Sequence, residues 1–226
     1  MENNVIQSID EIKRLLGKTI KQAGTAFYSN IATLTNGKYL IVGLNPGGDP
    51  NEITDTIEKS FTNFKNESYN AFFQKWYNNN PERVHRLQKN FRELFKILEN
   101  DENYLKKVCA TNLFYERTKR ETDFNSTVVQ NHKLIIEYVI NIVQPEIIFT
   151  FGKKPFYTLK DLFDPTPKFL KKPSGHGNWK ILLASGTYKK RQTKLIGFPH
   201  LSIYTLYTRR DEMDWIKQFS FNNSNL

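Results

Sequence analysis

The chain has 226 residues, of which 38% are hydrophobic and 14% aromatic, so it is long enough to bury the core of one sizeable domain. Its net charge of +10 favours a polyanionic partner, and nucleic acid is the first candidate. The single cysteine, Cys109, excludes an internal disulfide and a four-cysteine cluster, and neither a signal peptide nor a stretch of about 20 apolar residues is present. We therefore expect a cytoplasmic protein without a membrane partner.

Hydrophobic periodicity predicts a helix, a strand and an aromatic segment in the first third of the chain. Apolar residues recur at helical spacing from Ile9 to Ile20, and Ser8 is a candidate cap for that helix. The first strand is predicted over Tyr39 to Leu44. The segment that follows, residues 49–82, is rich in polar and aromatic side chains.

The rest of the chain alternates between helix and strand patterns. Helices are predicted over Glu82 to Leu98, Asn131 to Val143 and Asp211 to Phe219, with a short one from Pro155. A second buried strand is predicted over Lys107 to Asn112 and a third strand over Pro145 to Gly152, and strand-like runs follow over Trp179 to Ala184 and Leu195 to Phe198. Strands that alternate with helices are typical of an α/β fold with a parallel sheet.

The predicted architecture is a single domain over residues 1–226, because neither an internal repeat nor a convincing linker divides the chain. The short polar tail, residues 222–226, is expected to be disordered.

Polar side chains follow each of the main predicted strands. In a parallel sheet these strand ends meet at one crevice, which is where ligands of α/β proteins bind. A single polar residue at a strand end is more often a turn, cap or structural residue. The joint placement of several such residues favours a functional interpretation. The groups are Asn45, Asn112, Lys153 with Lys154 after Gly152, and His200 with Ser202.

Four short motifs, in chain order, resemble those of the uracil-DNA glycosylase superfamily. Residues 43–47, Gly-Leu-Asn-Pro-Gly, resemble the G-x-N-P-G motif of its mismatch-specific and single-strand-selective branches. Asn112 resembles the asparagine that reads the flipped base, and Gly152 and Lys153 resemble a glycine loop that lies against the DNA backbone. Residues 200–202, His-Leu-Ser, resemble the H-P-S motif, with leucine in place of proline.

The resemblance implies a role for each matched residue in hydrolysis of an N-glycosidic bond. Asn45 would orient the attacking water, and His200 would donate a hydrogen bond to the departing base. Asn112 would pair with the polar edge of the base, and Phe61 or Phe64 would stack on it. The remaining substrate-binding residues of the first motif would be Gly43, Leu44, Pro46 and Gly47.

The resemblance also implies contacts to the DNA backbone and a wedge that fills the place of the extruded base. Gly152 and Lys153 would contact one strand, and Tyr204 is the candidate wedge, with Leu206 as the alternative. The residues expected to contact phosphate after His200 are Ser202, Arg209 and Arg210.

We therefore predict a three-layer α/β/α fold with a central, mostly parallel sheet of four strands. The expected activity is that of a monomeric, monofunctional DNA glycosylase that flips out uracil or another damaged or modified pyrimidine. Its biological setting would be base excision repair or defence against phage DNA with modified bases. No cofactor is expected, and the four histidines lack the spacing of metal ligands.

Two other interpretations remain open. One is a nucleic-acid-binding module that keeps the fold and has lost catalysis. The other is an unrelated α/β hydrolase that acts on small nucleosides, whose substrate binding would depend little on salt.

Overall fold

The computed structural model describes residues 2–51, 54–76, 83–118 and 126–221, so the predicted disorder of residues 222–226 lies outside the described part. The chain forms two compact units, each made of two separate stretches. Unit 1 comprises Met1–Tyr69 and Cys109–Pro145, and unit 2 comprises Asn70–Val108 and Glu146–Leu226. That the whole chain acts as one domain stays a prediction.

Unit 1 contains two parallel strands, β1 (Tyr39–Gly43) and β2 (Cys109–Asn112). Every residue of both strands is buried, which explains why β1 is a continuous apolar run, whereas β2 joins Cys109 and Ala110 to the buried polar residues Thr111 and Asn112. Gly43 pairs with Asn112 in the strand register, so both strands end at the same edge. The helices of this unit are α1 (Glu2–Leu16), α2 (Ile57–Lys65) and α4 (Ser126–Val143).

The two early helices differ from the sequence predictions. Helix α1 begins at Glu2, so Ser8 lies inside it and the prediction that Ser8 caps it is wrong. Helix α2 lies in the aromatic segment for which no helix was predicted. It is capped by Thr56, whose side chain accepts a hydrogen bond of 3.2 Å from the backbone nitrogen of Lys59.

The described part of unit 2 contains four strands, which are β3 (Ile147–Phe151), β4 (Phe169–Pro173), β5 (Lys180–Tyr188) and β6 (Arg191–Phe198). Their order in the sheet is β3-β6-β5-β4. Strands β3 and β6 are parallel, whereas β5 pairs antiparallel with both β6 and β4. Lys189 and Lys190 form the two-residue turn between β5 and β6, with φ of 44° and 70°, as a type I′ hairpin requires.

The protein is thus α/β, as predicted, but its described part has six strands, so the prediction of four is wrong. Strand β4 gave no sequence signal because four of its five residues are exposed and two of them are lysines. The helices of unit 2 are α3 (Arg86–Glu99), α5 (Lys153–Lys160) and α6 (Arg210–Phe221).

Candidate functional site

Asn45 lies immediately beyond the paired ends of β1 and β2. The pairing continues past the strands, because the backbone nitrogen of Phe114 donates to the oxygen of Leu44 at 2.8 Å. The side-chain nitrogen of Asn45 donates to the Pro46 oxygen and to the Thr118 hydroxyl, each at 3.3 Å. These contacts engage the nitrogen of the half-buried amide and hold it in one orientation.

Asn112, the last residue of β2, is fully buried. Its side-chain nitrogen donates a long hydrogen bond of 3.5 Å to the backbone oxygen of Thr25. Its side-chain oxygen is buried and has no hydrogen-bond partner among the described residues. An unpaired buried acceptor costs roughly 1–3 kcal/mol, so the position suits a ligand that brings a donor.

Two tyrosines that the sequence analysis did not select are Tyr28, which lies beside Asn112, and Tyr69, which lies near Tyr28. The backbone nitrogen of Tyr28 donates to the Ala110 oxygen at 2.8 Å, which fixes Tyr28 beside β2. Burial raises the pKa of Tyr28, and a hydrogen bond with Asn112 opposes that rise. Burial, together with the nearby Tyr28, raises the pKa of Tyr69 to about 12. Both hydroxyls are therefore neutral donors at physiological pH.

The two phenylalanines predicted to stack on the base lie in the core of unit 1. Phe64 stacks on Phe27 with ring centroids 4.2 Å apart, and Phe61 meets Phe64 edge to face at 6.5 Å. Both rings are buried by neighbouring rings. Stacking on a ligand by either ring stays a prediction, and in this conformation the half-buried Tyr28 is the more accessible ring near Asn112.

Gly152 links the two parallel strands of unit 2 at their carboxyl ends. Its backbone nitrogen donates to the oxygen of Phe198, the last residue of β6, at 3.0 Å. With φ of 94° it turns the chain from β3 into α5, a conformation that favours glycine. Lys153 is the exposed first residue of that helix.

His200 follows β6, and its ring packs edge to face on Phe151 with centroids 6.0 Å apart. Its Nδ1 lies 2.5 Å from the hydroxyl oxygen of Ser202. Desolvation lowers the pKa of His200, so the imidazole is neutral at pH 7. With the Ser202 hydroxyl as donor to Nδ1, the ring carries its proton on Nε2 and presents an N–H donor there.

Asn90, on α3, holds the loop after His200, and sequence reasoning missed it. Its side-chain nitrogen donates to the backbone oxygens of Leu201 and Tyr204, each at 2.8 Å. Its side-chain oxygen accepts from the backbone nitrogens of Leu206 at 2.8 Å and Tyr207 at 3.2 Å. One buried amide therefore satisfies four backbone groups of this loop.

Leu201, which stands where the resemblance expects proline, is fully buried. The loop is thus shaped by an apolar anchor and by Asn90 rather than by the fixed φ of a proline. Arg86 also donates to the backbone oxygen of Ile203.

The structure places the predicted DNA-contact residues of this loop in different environments. Tyr204 and Leu206 are fully buried, and the Tyr204 hydroxyl donates to the Ser174 oxygen at 2.6 Å. Neither side chain is available to enter a duplex in this conformation. Ile203, by contrast, is 60% exposed. Of the two arginines, Arg210 is exposed and Arg209 is half-buried.

The structure therefore brings together Asn45 and Asn112 at the strand ends of unit 1, as parallel pairing requires. In unit 2 it brings Gly152 to the strand end from which His200 and Ser202 follow.

No protein-family model matches the chain, and no curated protein matches it at significant similarity. None of the described helices is both long and apolar enough to cross a membrane. In the same described ranges, histidine, cysteine and acidic side chains do not form a group of three or more that could hold a metal ion.

Proposed function

We propose that the protein is a DNA glycosylase that hydrolyses the N-glycosidic bond of uracil or another damaged or modified pyrimidine. The proposal includes the three-layer α/β/α arrangement of the uracil-DNA glycosylase superfamily. It also includes that the protein acts as a monomer and is cytoplasmic.

The observation that carries the proposal is the buried, unpaired side-chain oxygen of Asn112 at the strand edge that Asn45 follows. A flipped pyrimidine brings an N–H group to such an acceptor. Asn45, held by Pro46 and Thr118, would orient a water for attack on the sugar carbon. An amide orients water but is a weak base, so we expect slow turnover.

Cleavage of the bond leaves negative charge on the departing base. The neutral imidazole of His200, with its proton on Nε2, supplies a donor for a base oxygen. Removal of a preorganised donor of this kind lowers the rate by about 10²–10³-fold.

DNA engagement would use the exposed side chains of unit 2. Ile203 replaces Tyr204 and Leu206 as our candidate wedge, because it is the exposed apolar side chain of that loop. Lys153 and Arg210 would contact phosphates, and the net charge of +10 supports a polyanionic partner.

A strand-cleavage assay tests the proposal. Single- and double-stranded oligonucleotides with uracil or with modified cytosines are incubated with protein and then treated with alkali, which cuts at abasic sites. We expect cleavage by the wild type, and a loss of about 10²-fold or more for His200→Ala and for Asn45→Ala. Asn36→Ala changes an exposed asparagine of unit 1 and serves as the matched control.

The binding module is the second candidate, favoured by the weak chemistry of an amide at position 45. It predicts tight, salt-sensitive DNA binding with no abasic product on any substrate. Retained cleavage by both Asn45→Ala and His200→Ala would contradict the assigned roles.

A further inference from the structure

Arg117 lies against the loop that carries Asn45. Its backbone nitrogen donates to the Ala23 oxygen at 2.9 Å, which fixes the start of the side chain. A methyl group on Gly48 would lie only 3.1 Å from Arg117 Nε, so the guanidinium packs directly on this glycine. The Arg117 side chain is only 14% exposed. Its charge is therefore held at the carboxyl edge of β1 and β2.

The guanidinium is incompletely paired. Its terminal nitrogen lies 3.7 Å from a carboxylate oxygen of Asp55, beyond hydrogen-bond distance. That carboxylate is 56% exposed and also lies 3.5 Å from the ammonium of Lys59, so it neutralises Arg117 only in part. The Nε of Arg117 is buried and has no hydrogen-bond partner among the described residues. A buried guanidinium N–H without a partner is costly, and a ligand acceptor would remove that cost.

Asn112 and Arg117 are both held against residues 23–25. The side-chain nitrogen of Asn112 donates to the Thr25 oxygen at 3.5 Å, and the backbone nitrogen of Arg117 donates to the Ala23 oxygen at 2.9 Å. The pKa of Tyr28 is raised by burial, and both the hydrogen bond with Asn112 and the positive charge of Arg117 oppose that rise. These effects agree with the hydrogen bonds, which place Tyr28 beside β2 and both other residues against residues 23–25. Arg117 also lies only five residues after Asn112, in the segment that continues from the end of β2.

We infer that Arg117 is a specificity-determining residue, which donates from Nε to a carbonyl oxygen of the same ligand whose N–H is accepted by Asn112. This inference rests on the proposed function, since it concerns the base that occupies that site. The ligand class is a heterocycle with a ring imide, in which one N–H lies between two carbonyl groups. An aminopyrimidine such as cytosine lacks this imide. Its amino group adjoins a ring nitrogen rather than a carbonyl group, and its carbonyl oxygen lies further along the ring.

Binding of free bases tests the inference without any need for hydrolysis. Isothermal titration calorimetry would measure the affinity of the protein for uracil, for 3-methyluracil, whose imide N–H is blocked, and for cytosine. We expect uracil to bind at least 10-fold more tightly than the other two. Arg117→Met should weaken uracil binding at least 10-fold and change cytosine binding by less than 2-fold.

Two further variants keep the test informative. Arg117→Lys retains the positive charge but lacks Nε, so it should also lose at least 10-fold in uracil affinity if Nε makes the contact. Arg14→Met alters an exposed arginine that pairs with Glu11 and should leave binding unchanged. Thermal melting identifies any variant that fails to fold. In that case the affinities of the wild type for uracil, 3-methyluracil and cytosine still test the inference.

The results separate this inference from the proposed function. Arg117-dependent uracil binding without abasic product supports the inference and counts against catalysis. Abasic product together with unchanged uracil affinity in folded Arg117 variants overturns the inference and leaves the glycosylase standing. Equal affinity for uracil and cytosine, or no binding of any base at millimolar concentration, also overturns it.

Discussion

The backbone oxygen of Leu201 accepts a hydrogen bond of 2.8 Å from the side-chain nitrogen of Asn90, which lies 111 residues earlier in the chain. The same amide holds Tyr204, Leu206 and Tyr207. Asn90 is therefore a positioning residue for the loop that begins at His200. The loop keeps its shape although leucine replaces the proline that the resemblance leads one to expect.

Replacement of Asn90 by alanine should destabilise the protein by about 3 kcal/mol, because it leaves buried backbone groups without partners. Urea denaturation measures the free energy of unfolding. Asn36→Ala, an exposed change, should alter it by less than about 0.5 kcal/mol. If Asn90→Ala lowers the free energy of unfolding no more than the control does, water replaces these hydrogen bonds.

Gly48→Ala should destabilise the protein by about 1–3 kcal/mol, whereas Gly47→Ala should be nearly neutral. Gly48 has φ of 117°, which a residue with a Cβ rarely adopts, and the added methyl would press on Arg117. A methyl on Gly47 would meet no heavy atom within 4 Å. Thermal unfolding compares the two variants, and equal melting temperatures would contradict the contact between Gly48 and Arg117.

His200 should titrate below its usual pKa of 6.5, because its ring is partly desolvated. The unfolded chain then binds more protons than the folded protein, so this residue's contribution to stability falls as the pH drops from about 6.5 through the lowered pKa. NMR of the ring nitrogens follows the titration and reports the tautomer. We expect the proton on Nε2 at neutral pH, and Ser202→Ala should increase the fraction that carries it on Nδ1. A midpoint above 6.5 would contradict the desolvation.

DNA binding should weaken steeply with salt if Lys153 and Arg210 contact phosphates. Loss of one phosphate contact lowers the slope of log K against log salt by about 0.9 on duplex DNA and about 0.7 on single strands. Lys153→Ala and Arg210→Ala should each reduce the slope by that amount. Lys18→Ala, an exposed lysine of unit 1, serves as the control. Slopes that do not change in either variant would place the DNA elsewhere on the protein.

Much of the fold was predictable because hydrophobic burial leaves a local pattern. The apolar residues of β1 and β3 and the short apolar run from Val108 to Ala110 before the end of β2 identify buried strands, and the periodicity of α3 identifies its buried face. Strand β4 and helix α2 were missed for opposite reasons. Most of β4 is exposed, so it lacks an apolar signal, whereas the apolar positions of α2 were read as part of an irregular aromatic segment.

The sequence by itself determined that Asn45 follows one buried strand and that Asn112 ends another, since strand ends are visible as the point where an apolar run stops. Only the tertiary structure decided which polar groups are satisfied. Asn90 meets a loop more than 100 residues away, and the Nε of Arg117 and the side-chain oxygen of Asn112 are buried without partners. It likewise decided that Tyr204 is buried and Ile203 exposed. The physical reason is that burial and hydrogen-bond partners depend on residues distant in the chain, whereas hydrophobic periodicity depends only on residues that are close in sequence.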